Sequence, residues 1–201
     1  IIPVRNIDIS VDKETGVITM MNDGNGVDVA KHPDNDLWIP EMIFGHLRTS
    51  TNYNKDEKKI VGGKNGFGFK LVLIYSKWGE IETVDHIRKK KYTQRFENNL
   101  TNILEPKIKN TTVKPYTKVT WLPDYERFGI EKLTDDMFNL FKKRTYDIGV
   151  VTNSSIRVRF NKEPVPNKTF EQYMDVYIGP KTAVERVFES SNKRWEIGAC
   201  L

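Results

Sequence analysis

At 201 residues, 38% hydrophobic and 11% aromatic, the chain has ordinary globular composition and enough length for one good core. A formal charge of +5 favours an anionic partner: a nucleotide, a nucleic acid or an acidic protein. The single Cys200 excludes an internal disulfide framework and suits a reducing compartment, while no apolar run is long enough to span a bilayer and residues 1–4 are no signal peptide.

Residues 4–11 alternate apolar and polar side chains, and a second β-rich run at 17–21 makes a hairpin with them. The hairpin ends in Asn22-Asp23-Gly24-Asn25-Gly26-Val27, where a polar side chain stands at a strand end beside glycines that allow a tight turn. Apolar residues at Ile39, Met42, Ile43, Phe44 and Leu47 have the spacing of a short amphipathic helix. The polar stretch 48–59 that follows is expected to be an exposed loop of the length used for lids and binding loops. Next comes Gly62-Gly63-Lys64-Asn65-Gly66-Phe67-Gly68-Phe69-Lys70, whose glycines let backbone amides approach a ligand and which feeds an apolar segment expected to be helical over 65–76. Alone, such a turn also serves merely to close a loop.

Further on, 79–87 and 91–97 predict a hairpin tipped by Arg88-Lys89-Lys90-Lys91, read as a solvated tip with proximity to DNA as the alternative. Strands are predicted at 102–108, 117–122, 155–160, 183–189 and 194–201. Helices are predicted at 133–146, with Thr134 as N-cap and Asp135-Asp136 in the first turn, and at 169–177. Strands outnumber helices, so the expected class is α+β: a two-layer sandwich with a mainly antiparallel mixed sheet and helices on one face. His32, His46 and His86 lack metal-ligand spacing, and no metal-ligating residue is expected.

The Asn22 to Val27 segment, Ile43-Phe44-Gly45, Thr49-Ser50-Thr51-Asn52-Tyr53, Asp56-Glu57-Lys58-Lys59 and the glycine-rich stretch resemble, in order, the ATPase region of type IIA DNA topoisomerases in the eukaryotic and large-DNA-virus style. Arg144-Thr145-Tyr146-Asp147-Ile148, Tyr173-Met174-Asp175-Val176-Tyr177 and Arg194-Trp195-Glu196 extend the likeness over nearly the whole chain. The resemblance implies the Bergerat (GHKL) fold, with ATP and Mg²⁺ between a sheet and a lid. In that fold Asn22 faces the adenine, Thr117 supports it, Ile43 and Phe44 line its apolar side, and Ser50, Thr51 and Asn52 contact ribose and phosphate. Gly63, Lys64, Asn65, Gly66, Phe67 and Gly68 wrap the triphosphate, and Lys70 reaches a phosphate oxygen. Lys64 stands where the family often has Arg, which keeps the charge and loses the bidentate fork.

By the same resemblance, residues 1–190 are expected to form an N-terminal ATPase domain lacking its first helix, and 191–201 the start of a transducer domain. The catalytic Glu and the Mg²⁺-holding Asn are expected on that earlier helix. The chain therefore has no predicted catalytic residue and is expected to be a piece of a longer protein, inactive alone. The intact enzyme is expected to be a homodimer that couples ATP hydrolysis to passage of one DNA duplex through another, in the nucleus or, if viral, in host cytoplasm or a viral factory. The alternatives are another ATPase of the superfamily, of chaperone or mismatch-repair type, and a non-catalytic binding module.

Overall fold

The structure, a computed structural model of the chain, describes residues 1–47, 49, 65–192 and 194–201. Its centre is a nine-stranded sheet in which one hairpin, β1 (Asn6–Val11) and β2 (Ile18–Asp23), is joined through β2 to β7 (Tyr116–Pro123). β7 pairs with β3 (Ser76–Val84), which pairs with β4 (Lys90–Glu97), and every one of these contacts is antiparallel. β4 carries two short edge partners, β5 (Asn102–Ile103) and β6 (Lys107–Asn110). At the other edge β8 (Arg157–Phe160) lies parallel to β1 and takes the two-residue β9 (Glu163–Pro164) as its neighbour. A separate pair, β10 (Arg186–Asn192) and β11 (Trp195–Cys200), forms its own two-stranded sheet.

Among the described residues four α-helices accompany the strands: α1 (Ile39–Gly45), α2 (Gly68–Ile74), α3 (Asp135–Val151) and α4 (Phe170–Ile178). α3 forms because Thr134 accepts from the Met137 N–H and Asp135 and Asp136 sit at the positive end of the helix dipole. It buries Met137, Phe138, Phe141 and Ile148 against a core built from Ile9, Val11, Ile18, Ile81, Phe96, Val119, Trp121 and Phe160. α2 joins the same face, the Phe69 ring meeting Trp121 edge-on at 6.3 Å. α4, capped by Thr169, is tied to α3 by Tyr173 Oη donating to Asp147 at 2.5 Å.

Several predicted elements differ in extent: α3 runs on to Val151, and β3 both starts and ends three residues earlier than expected. The single strand expected at 102–108 is two, because Pro106 between them has no N–H to donate to the ladder with β4. The helix expected over 65–76 is only Gly68–Ile74, since Ser76 already belongs to β3 and bonds across to Pro123. The strand expected at 183–189 starts at Arg186 and runs on to Asn192. The expected loop 48–59 falls, except for Thr49, outside the described residues.

Among the described residues the sheet's second face carries no helix, and it is largely polar. Glu82 stands at its centre, contacted by Lys91 at 2.6 Å, the Tyr116 hydroxyl at 2.5 Å and Lys118 at 2.9 Å. Burial alone pushes its carboxyl up, but these donors outweigh burial and hold it at about 2. Asp8 and Arg159 form a second, bidentate pair on β1 and β8. A carboxyl depressed in the folded state stabilises above its ordinary value and stops doing so as the pH falls through its folded value. Stability is therefore expected to fall between about pH 4.5 and about pH 2. In acid-unfolding curves Glu82→Gln gives a shallower decline across that window; an unchanged curve contradicts the assignment.

Candidate functional site

β2, β7 and β3 end together, and their register sets Asn22 opposite Thr117 and Thr117 opposite Thr83. The alternation that buries Ile18, Val119 and Ile81 puts these three residues on the helix-covered face, at its rim. Asn22 is exposed and donates its amide to the Asp23 carbonyl at 2.9 Å. Thr117 meets the Thr83 hydroxyl at 3.0 Å. So the two residues expected at the adenine end are neighbours, although one was drawn from a turn and the other from a strand 95 positions later in the sequence.

The segment after Asn22 is pinned against the same sheet end. Val27 N–H donates to Thr83 Oγ1 and Val29 N–H to Asp85 Oδ2, both at 2.9 Å. Asp85 is fully buried and also accepts from the Ile87 and Arg88 amides and the Arg88 guanidinium. Burial pushes its carboxyl up, yet these donors leave it below the usual range. Gly26 lets the segment come this close: its φ is +71°, and a Cβ there would lie 1.9 Å from the Val84 carbonyl oxygen. Neither Thr83 nor Asp85 was anticipated, because a Thr and an Asp in a strand-to-turn run look the same in sequence whether solvated or buried. The Gly-Asn-Gly spacing was the only signal that something must pack tightly beside them.

Ile43 and Phe44 lie on α1, both half-buried. The Phe44 ring packs edge-on against Phe69 at 5.1 Å, which fixes α1 against α2. Asn65, Gly66, Phe67 and Gly68 form the described end of the glycine-rich loop and the entry to α2. Gly66 has a φ of +65°, and among the described residues beyond its own chain neighbours and helix nothing lies within 4 Å of where a Cβ on Gly68 would sit. Ser50, Thr51, Asn52, Gly63 and Lys64 lie outside the described residues.

Lys70 is the unusual group. It sits in the first turn of α2 with 4% of its surface exposed, and its ammonium donates to Thr49 Oγ1 at 3.1 Å. Thr49 in turn donates to the His46 carbonyl at 3.2 Å. Among the described residues no carboxylate lies within ion-pair distance of Lys70, and burial lowers its pKa. Thr49 was not among the expected site residues, although it opens the Thr49-Ser50-Thr51-Asn52-Tyr53 motif; its link to Lys70 depends on a contact across 21 positions. A cation held among few neutral partners is costly to bury and is well placed to receive an anion.

No protein-family model matches the chain. It is 44% identical over 194 residues to "DNA topoisomerase 2" of Acanthamoeba polyphaga mimivirus, covering 96% of this chain and 15% of that protein. It is 41% identical over 203 residues to "DNA topoisomerase 2" of Arabidopsis thaliana, covering 98% of this chain and 14% of that one. The crystal structure of the ATPase region of Saccharomyces cerevisiae topoisomerase II superposes with a TM-score of 0.91 at 38% identity, over 97% of this chain and 52% of that chain. The mixed sheet with helices on one face and a glycine-rich helix entry over it thus has the architecture of an ATPase region. The chain belongs to the DNA topoisomerase II family, of the type found in eukaryotes and a giant virus, and corresponds to its ATPase region. It spans about one seventh of the length of the curated relatives it matches.

Removing the buried charge should relieve the fold even where it harms function. Lys70→Met, which fills similar volume, is expected to raise unfolding stability by about 1 kcal/mol. A denaturant melt in which Lys70→Met is less stable than the parent would show that the ammonium is already compensated.

Proposed function

We propose that this region binds ATP with Mg²⁺ and, within the intact protein, couples ATP hydrolysis to passage of one DNA duplex through a break in another. The observation that carries the reading is the buried Lys70 ammonium, without a carboxylate among its described neighbours, at the base of a glycine-rich loop. That donor set suits a triphosphate: Lys70 supplies the charge, Gly66 and Gly68 leave the backbone approachable, and Asn22 and Thr117 offer amide and hydroxyl groups at the sheet rim. Ser50, Thr51, Asn52, Gly63, Lys64, Asn65 and Phe67 complete the cradle in this reading, with Ile43 and Phe44 on its apolar side. Among the described residues no three His, Cys, Asp or Glu side chains cluster as a metal site. When bound with the nucleotide, Mg²⁺ would supply neutralisation of the phosphate charge beside Lys70.

The protein's own residues do the positioning: Lys70 holds a phosphate oxygen, Thr49 orients Lys70, and the Thr83 and Asp85 bonds keep the Asn22 segment in place. The intact protein is read as a homodimer, nuclear in a cell or in host cytoplasm or a viral factory if viral. Among the described residues no helix is long and apolar enough to cross a membrane. Residues 1–190 are assigned to the ATPase domain and 191–201 to the start of a transducer; the separate β10–β11 sheet begins at Arg186, a few residues before that boundary.

Titration calorimetry with a non-hydrolysable ATP analogue tests the cradle: binding to the parent and at least tenfold weaker binding to Lys70→Met are expected, and equal heats in both would overturn the site. In the intact protein, Gly66→Val and Lys70→Ala are expected to abolish ATP-dependent relaxation of supercoiled DNA, whereas full relaxation by both variants excludes these residues from the mechanism. The 201-residue chain alone is expected to show no metal-dependent ATP turnover; turnover would contradict the inactive-fragment reading.

A further inference from the structure

Cations cluster at the end of the sheet beyond the described site. β4 and β6 set Lys91 directly opposite Lys109, Lys90 opposite Asn110 and Thr93 opposite Lys107. The Thr111 amide donates to the Lys89 carbonyl at 2.9 Å, so the loop after β6, which carries Lys114, is fastened to the β3–β4 tip. Lys91 is engaged by Glu82, and Arg88 by Asp85 and Asp28. Lys89, Lys90, Lys107, Lys109 and Lys114 form no ion pair among the described residues. They lie together along one edge of the sheet and the loop that follows it.

Like charges on facing strands repel, and evolution of a stable sheet edge favours alternating sign there. Glu82 relieves the one such pair, Lys91 with Lys109, and the cations without an acidic partner border an open hollow of about 720 Å³ lined by Arg88, Lys89, Lys109, Asn110, Thr111 and Thr112. Its walls combine ammonium and guanidinium groups with hydroxyl and amide donors, the set that proteins use on phosphate oxygens of a nucleic-acid backbone. Ile87 and Val113 are exposed beside it, too few to seat in a bilayer or to centre an apolar protein interface.

We propose that this edge is a binding surface for the phosphate backbone of double-stranded DNA, independent of base sequence and separate from the nucleotide cradle. Lys89, Lys107 and Lys109 supply the main phosphate contacts, and Asn110, Thr111 and Thr112 add hydrogen-bond donors. Contact through about four phosphates makes the affinity steeply salt-dependent: raising salt from about 50 to about 200 mM weakens binding about a hundredfold.

Fluorescence anisotropy of a labelled 20-base-pair duplex, titrated with the 201-residue chain at both salts, tests this. Micromolar binding at low salt with that loss at high salt is expected, insensitive to duplex sequence. Lys89→Glu with Lys109→Glu should lose at least tenfold in affinity and show a shallower salt slope. Lys89→Arg with Lys109→Arg should keep both, and all variants should still bind the ATP analogue, which separates this surface from the cradle. Three results overturn the proposal: no duplex binding by the parent, unchanged affinity in the charge-reversal variant, or equally tight binding of the parent to polyglutamate or phosphatidylserine vesicles.

Discussion

The register of β2 against β7 and β7 against β3 is the constraint on which the molecule depends. One alignment buries Ile18, Val119, Trp121 and Ile81 beneath the helices and leaves Glu82, Lys118 and Thr120 on the other face. A slip of one residue along β7 would exchange the two sets. It would also part Asn22 from Thr117 and Thr117 from Thr83, so the apolar pattern that selects the fold also assembles the rim of the nucleotide site. The hydroxyl pair Thr83–Thr117 and the pair Thr19–Thr120, at 3.2 Å, mark this register on opposite faces of the sheet.

Fold and site balance differently in energy. Along the core, burial and pairing agree: Tyr92 is wholly buried, yet its hydroxyl donates to Gln94, whose amide donates to Glu41 and to the Leu104 carbonyl. At Lys70 they do not, because a charge is taken from water and, among the described residues, is given only a neutral hydroxyl. Local conflict of this kind inside an otherwise consistent structure is where a functional group is expected.

Most of the architecture was legible because its signals are local. Alternation marked β1, β2, β3 and β4, and the Thr134 cap marked α3 and accepts the hydrogen bond expected of it; α4 proves to have a similar cap in Thr169. The split of 102–108 turns on Pro106, and the short α2 turns on Ser76 joining the sheet, a tertiary choice that helix periodicity does not report. β9, two residues long, has no periodicity to read. For the site, the motif order carried the family and the glycine-rich loop, whereas Thr49, Thr83 and Asp85 act through partners 21 to 56 residues away. Such pairings have no spacing signature, and the residues themselves are common types.

The parallel join between β1 and β8 has a consequence for how the chain reaches its shape. Val11 and Asn161 exchange two hydrogen bonds across 150 positions, the amide of one accepting from and donating to the backbone of the other. On a ribosome that releases the amino end first, the opening hairpin must wait with a bare edge until the partner segment has left the exit tunnel. Such distant closure makes for slow maturation, and during that interval the newborn polypeptide is exposed to pairing with a neighbour's edge instead of its own.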